Sequence, residues 1–90
     1  MTHYYILDAG RVHDRPSLHA ELQEALQLPG YYGRNLDALY DCLTDIFEDT
    51  VLLIIDSEKL EAALGDYSGK LLGTLKDAAE EDQHFSFRLY

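Results

Sequence analysis

Four carboxylates recur at helical spacing in the middle of the chain, directly after two tyrosines and a glycine. Tyr31-Tyr32-Gly33 indicates a rigid, exposed corner. Asn35 is a good helix N-cap, because its side-chain oxygen can accept a hydrogen bond from an otherwise unpaired backbone N–H. The predicted helix runs from about Leu36 to Phe47. One of its sides carries acids at i, i+4, i+8 and i+11, namely Asp37, Asp41, Asp45 and Glu48.

The other side of this helix is apolar, as expected for a helix packed on a core. Its residues are Leu36, Leu39, Leu43, Ile46 and Phe47. Like charges four residues apart cost a helix about 0.2–0.5 kcal/mol per pair. A helix with this acidic side is either simply soluble or directed at a positive partner, and composition alone favours neither. The binding interpretation is attractive because carboxylates pair with arginine forks and can stand in for phosphate oxygens.

Composition bounds the class of protein. Ninety residues predict a single domain over residues 1–90. Seventeen acids against seven bases give a net charge of −10, which disfavours nucleic acid or an anionic membrane as a partner. No basic flank precedes an apolar run at the N-terminus, and the longest apolar run, Val51 to Ile55, is too short to cross a membrane. These features predict a cytoplasmic protein.

No residue pattern predicts catalysis. There is no Gly-rich phosphate loop, and Cys42 sits between Asp41 and Asp45, where a reactive thiolate is disfavoured. We interpret Cys42 as a small buried hydrophobe. The histidines have no metal-ligand spacing and are interpreted as surface residues or satisfied partners; they are His3, His13, His19 and His84. We therefore expect no enzyme activity, no catalytic residue, no metal site and no cofactor.

The remaining patterns predict elements in the order β-α-α-β-α-α-β. The strands are expected at about residues 3–7, 51–55 and 84–90, with the uniformly apolar 51–55 in the centre. The first helix should be capped by Asp14 and stopped by Pro29-Gly30. The third should follow a cap at Asp56-Ser57, and the fourth a cap at Ser68. Because helical crossovers join the strands, the prediction is an α/β fold with a three-stranded parallel sheet and four helices.

The central stretch closely resembles the motif of the barstar family, intracellular inhibitors of secreted bacterial ribonucleases of the barnase type. The resemblance is carried by Tyr31-Tyr32-Gly33-x-Asn35-Leu36-Asp37-Ala38-Leu39-x-Asp41-Cys42-Leu43-Thr44, and Leu26-x-Leu28-Pro29 before it also fits. It implies a barstar-like fold and a 1:1 complex with a basic secreted ribonuclease or ribonuclease toxin. The chain would then act as an immunity protein or antitoxin.

The resemblance also implies a role for each residue at the interface. Asp41 would take the place of a substrate phosphate, opposite the catalytic histidine and arginines of the ribonuclease. Asp37 would pair with a further basic group, and Tyr31 would pack on the catalytic histidine. Asp77, on the fourth helix, would be a more distant acidic contact. Loop and rim contacts would come from Gly33, Asn35, Leu36 and Thr44.

Several residues depart from the family pattern. Arg34 replaces an acid, Tyr40 replaces a tryptophan, and Asp45 replaces a glycine at the helix end, where it is expected to tune which nuclease is bound. Asp77 is one methylene shorter than the family's glutamate. Arg34 and Asp45 favour an alternative function, a barstar-fold interaction or regulatory module whose partner is not a ribonuclease.

Overall fold

The computed structural model describes residues 1–90. Three strands form one parallel sheet in the order β1-β2-β3. They are β1 (His3–Asp8), β2 (Thr50–Ile55) and β3 (Phe85–Leu89). The register pairs His3 with Thr50 and Thr50 with Phe85. The predicted sheet is confirmed, with the most apolar strand in the centre, where both of its edges are hydrogen-bonded.

A single 3-10 turn and four helices connect the strands. The turn covers Ala9–Arg11 and follows β1 directly. The helices are α1 (Arg15–Ala25), α2 (Leu36–Leu43), α3 (Lys59–Leu64) and α4 (Asp66–Glu81). None of them combines the length and hydropathy that crossing a membrane requires.

Helix α1 begins as predicted but ends earlier. The Asp14 side chain accepts a hydrogen bond from the Ser17 backbone N–H, and the Ser17 hydroxyl completes a reciprocal capping box. The helix ends four residues before Pro29, since Gln27 adopts a left-handed φ of 54°. The backbone N–H groups of Gln27 and Leu28 then bond back to the helix end. The prediction that Pro29-Gly30 stops this helix was therefore wrong.

The starts of α3 and α4 also differ from the predicted caps. Helix α3 has no side-chain cap, and Asp56 instead adopts a left-handed φ of 54° in the preceding turn. Helix α4 begins at Asp66, three residues before the first helical residue that a cap at Ser68 would give. Ser68 lies in its first turn, where its hydroxyl donates to the Gly65 carbonyl. Gly65 joins the two helices with φ 60°, a conformation that favours glycine.

The core lies between the helices and one face of the sheet. On β1, Leu7 points inward and is buried, whereas Tyr4 and Ile6 point to the other face and are 61% and 60% exposed. Helix α1 packs on β1, α4 packs on β3, and α2 packs on α4. Fully buried residues from every layer form this core: Leu7, Leu52, Ile54, Phe85, Leu18, Leu22, Leu39, Leu43, Leu60, Leu71 and Leu75. The acidic side of α2 consequently faces away from the sheet.

Candidate functional site

The two tyrosines of the corner before α2 have opposite environments. Tyr31 is 88% exposed, whereas Tyr32 is only 5% exposed and belongs to the core. The corner is held by a turn in which the Tyr32 N–H donates to the Pro29 carbonyl. The sequence predicted an exposed corner for both residues, and this was wrong for Tyr32. Of the two tyrosines, only Tyr31 is exposed to solvent.

Tyr32 anchors the corner through a buried histidine. Its hydroxyl lies 2.6 Å from His19 Nδ1, and the Tyr67 hydroxyl lies 2.8 Å from His19 Nε2. A neutral imidazole has one donor and one acceptor nitrogen, so one tyrosine donates to the ring and the other accepts from it. Burial, with the Arg34 charge adding to it, lowers the pKa of His19. Burial also raises the pKa of Tyr32. The corner is thus tied to α1 through His19 and to α4 through Tyr67.

Asn35 starts α2 as the sequence predicted. Its Oδ1 accepts a 2.7 Å hydrogen bond from the Ala38 N–H, and its Nδ2 donates to the Gly33 carbonyl at 3.3 Å. A side chain at Gly33 would bring its Cβ within 3.2 Å of the Ala38 Cβ. A larger residue would therefore push the corner away from the first turn of the helix. Asn35 and Gly33 position the loop, and both are exposed, as Tyr31 is.

Arg34 turns away from the acidic side of α2. The residue has a left-handed φ of 55°, and its Nη2 donates to Gln23 Oε1 at 3.1 Å. Gln23 in turn donates to the Pro29 carbonyl at 3.0 Å. The guanidinium is therefore held against α1, and it forms no ion pair with any carboxylate. The positive charge at this position does not neutralise the neighbouring acids.

Helix α2 presents two carboxylates rather than four. Asp37 and Asp41 are exposed, lie one turn apart and form no ion pair, whereas Leu39 and Leu43 on the opposite side are fully buried. Asp37 also lies in the first turn, at the positive end of the helix dipole. Leu36 is half-buried and packs against the core. The predicted side is thus confirmed for its first two acids.

The helix ends four residues before the predicted boundary. Thr44 is its C-cap, and the Thr44 hydroxyl donates to the Tyr40 carbonyl at 2.9 Å. Asp45 therefore lies beyond the helix, although it is still exposed beside it. Glu48 is directed elsewhere and pairs with His3. Phe47 was predicted to face the core but is 84% exposed, so that prediction was wrong.

Helix α4 adds acids to the same side of the molecule. Burial raises the pKa of the Tyr40 phenol, and the carboxylates of Glu81, Asp77 and Asp41 raise it further. Helices α2 and α4 pack together, and Asp77 and Glu81 on α4 are near enough to Tyr40 on α2 for their charges to act on it, as Asp41 does. Glu81 was not among the predicted site residues. Its position one helical turn after Asp77 was the available signal for it.

The single cysteine of the chain lies next to the acidic surface. Burial raises the pKa of the Cys42 thiol, and the charges of Asp41 and Asp45 add to that effect. A thiol in such surroundings is a weak nucleophile. No group of three or more histidine, cysteine or acidic side chains is arranged to hold a metal ion. The site is a rigid acidic surface with one projecting tyrosine.

Comparison with known proteins identifies the family. The family model described as Barstar (barnase inhibitor) matches residues 2–90. A relative from Bacillus subtilis (strain 168), named "Putative ribonuclease inhibitor YrdF", is 38% identical over 77 residues, which cover 84% of this chain and 85% of that protein. The chain belongs to the barstar family.

Proposed function

We propose that this barstar-family chain inhibits a basic, barnase-like microbial ribonuclease by covering its active site. The acidic side of α2 and the corner before it would mimic RNA phosphate. The proposal is supported by one observation above all. Asp37 and Asp41 stand exposed and without ion pairs on a helix whose other side is buried, beside the exposed Tyr31. Unpaired carboxylates on a fixed scaffold suit a cationic cleft.

Each residue takes the role that the resemblance implies. Asp41 occupies the place of a substrate phosphate, facing the catalytic histidine and arginines of the ribonuclease, and Asp37 pairs with a further basic group. Tyr31 packs on the catalytic histidine. Gly33, Asn35, Leu36 and Thr44 supply loop and rim contacts, and Asp45 and Asp77 extend the acidic surface.

The anchored corner explains how such an inhibitor would reach high affinity. Association costs free energy when loops and side chains must be ordered at the interface. Here the ordering precedes binding, because Tyr32 is fixed through His19 and Asn35 caps the helix. Arg34 bonded to Gln23 leaves the acidic surface open. The chain would act as one domain over residues 1–90, in the cytoplasm, with no enzyme activity of its own and with one ribonuclease bound per chain.

An inhibition assay against a panel of guanyl-preferring ribonucleases, including barnase, tests the proposal. We expect stoichiometric inhibition of at least one of them, because a cationic active site is their shared feature. A lack of inhibition across the panel, together with copurification of a non-nuclease partner, would instead support an interaction or regulatory module. Because Asp37 and Asp41 are exposed and form no ion pairs, we favour the ribonuclease inhibitor over the regulatory module.

A further inference from the structure

One face of the sheet carries apolar side chains but no covering layer. Helices α1 and α4 pack on the face that holds the core. On the other face, which we call the outer face, Val51 is only 8% exposed, yet it belongs to no part of the core cluster. Parallel sheets are covered on both faces in almost all proteins. The unbroken apolar run of β2 is typical of a strand with two covered faces, and the free chain covers only one of them.

The strand register arranges the outer face as three rows of three side chains. Successive residues of a strand point to opposite faces, so every second position of each strand lies on the outer face. Tyr90 completes the third row, because its N–H donates to the Ile54 carbonyl at 2.8 Å. The rows consist of Tyr4, Val51 and Ser86; of Ile6, Leu53 and Arg88; and of Asp8, Ile55 and Tyr90. Six of these nine side chains are aliphatic or aromatic.

The exposed part of the outer face is large enough for a protein interface. Tyr4, Ile6 and Tyr90 are 61%, 60% and 60% exposed, and Ile55 is 37% exposed. A fully buried aromatic side chain removes about 150–250 Å² from water. Together with its partly exposed neighbours, the outer face therefore offers about 600–800 Å² per chain, and a stable complex buries about 800 Å² per partner. An area of this size, on a flat sheet, suits a second folded chain rather than a small ligand.

Two opposite charges lie at opposite edges of the outer face, which makes this face complementary to itself. Asp8 lies on β1 and Arg88 on β3, and neither forms an ion pair in the free chain. A two-fold axis parallel to the strands lays β1 of one copy over β3 of the other, so each Arg88 lies one row from Asp8 of the second copy. This offset is about 7 Å, which an arginine side chain spans. An axis across the strands would instead bring the two Arg88 side chains together, which is unfavourable.

We propose that two copies of this chain form a symmetric dimer through their outer faces, with β1 of each copy lying over β3 of the other. The two sheets are aligned to within about 30° and packed about 10 Å apart, as in a β-sandwich. Leu53, in the middle of the centre row, meets its own copy, as a two-fold interface requires. Because the acidic side of α2 faces away from the sheet, both copies keep that side free. The dimer therefore does not depend on the proposed function.

Sedimentation equilibrium of the full chain, from about 1 μM to about 1 mM, tests the proposal. We expect the mass to rise with concentration from 10.3 kDa to twice that value, with a dissociation constant of about 1–100 μM for an interface of this size. Ile6→Lys should raise the dissociation constant about tenfold or more, because it sets a buried cation against Arg88 of the second copy. Arg88→Glu should have a similar effect, because it sets two carboxylates together. Phe47→Lys is the matched control, since Phe47 is 84% exposed and lies outside the outer face, and it should dimerise like the wild type.

The possible results separate a second copy from other occupants of the outer face. A wild-type chain that stays monomeric at about 1 mM would overturn the proposal and leave the face to a different partner. A dimer that Ile6→Lys leaves intact, or that Phe47→Lys dissociates, would use another surface and would also overturn it. An unchanged dissociation constant in Arg88→Glu would contradict the placement of β1 over β3. Far-UV circular dichroism shows that each variant is folded, as expected for changes at exposed positions. The measurement uses the chain alone, so its result is independent of whether any ribonuclease is inhibited.

Discussion

Replacing Asp41 by asparagine should stabilise the free chain while weakening the complex. Asp41 lies in the last turn of α2, near the negative end of the helix dipole and one turn after Asp37. It forms no ion pair in the free chain. Removing its charge relieves about 0.2–0.5 kcal/mol of repulsion from Asp37. It also relieves about 0.3–1 kcal/mol of unfavourable interaction with the dipole. The free energy of unfolding should therefore rise by about 0.5–1.5 kcal/mol.

The effect of Asp41→Asn on binding should have the opposite sign and be larger. In the proposed complex, the carboxylate would face cationic groups, and the substitution would leave those groups buried and unpaired. Truncating one partner of a buried charge pair costs about 2–5 kcal/mol, which raises the dissociation constant by about 30-fold to several-thousand-fold. A residue whose removal stabilises the free protein and weakens the complex is held in place by function rather than by folding.

Two measurements on the same variant check this reasoning. Urea unfolding, followed by far-UV circular dichroism, gives the stability, and titration of ribonuclease activity gives the affinity. Glu24→Gln is the matched control, since Glu24 is an exposed acid in the last turn of α1. It should stabilise by a similar amount without changing affinity. Loss of stability in Asp41→Asn would show that the carboxylate makes a stabilising contact in the free chain. Unchanged affinity of Asp41→Asn for the ribonuclease would show that Asp41 is not part of the interface.

Three further predictions concern other parts of the site. Tyr31→Ala should weaken inhibition of the ribonuclease about tenfold or more, with little change in the urea midpoint of unfolding, because Tyr31 is exposed. Tyr32→Phe should instead lower the free energy of unfolding by about 1 kcal/mol, because it leaves a His19 nitrogen without a hydrogen-bond partner. The lowered pKa of His19 means that the unfolded chain binds more protons than the folded chain between the folded value and about pH 6.5. The free energy of unfolding should thus fall as pH drops below about 6.5, and the contribution of His19 should level off below its folded pKa. In His19→Gln, the plot of unfolding free energy against pH should have a shallower slope. An equal slope in the variant and the wild type would exclude His19 as its source. Association with the ribonuclease, followed by stopped flow, should slow strongly between about 0.05 M and about 0.5 M salt with little change in dissociation rate, and a salt-independent association rate would contradict electrostatic steering.

Local patterns were sufficient to predict the elements that depend on nearby residues. The apolar run of β2 predicted its central place, and the Asn35 cap was predicted because a cap is satisfied within one helical turn. The family resemblance came from a single continuous motif and is confirmed. The roles of its individual residues in binding stay predictions.

Features that depend on distant residues were not predicted. Tyr31 and Tyr32 are indistinguishable in sequence, and only His19 and Tyr67, brought together by the fold, decide which of them is buried. The end of α2 was misplaced for the same reason. The apolar period continues through Phe47, but His3 on β1 and His84, directly before β3, contact Glu48 and Asp49 in the segment that follows the helix.

The pairing of the strands affects the rate at which the chain folds. Residue 3 pairs with residue 50, and residue 50 pairs with residue 85, so every strand pairing closes a long loop. Such non-local pairings fold more slowly than helical contacts, because loop closure precedes the stabilising contacts. The corner and α2 lie inside the first of these loops, and the segment of Phe47 is held by His3 of β1 and by His84, directly before β3. A chain leaving the ribosome therefore carries the complete motif well before the motif can adopt the conformation that we propose for binding, and the binding surface forms only after the folding time has passed.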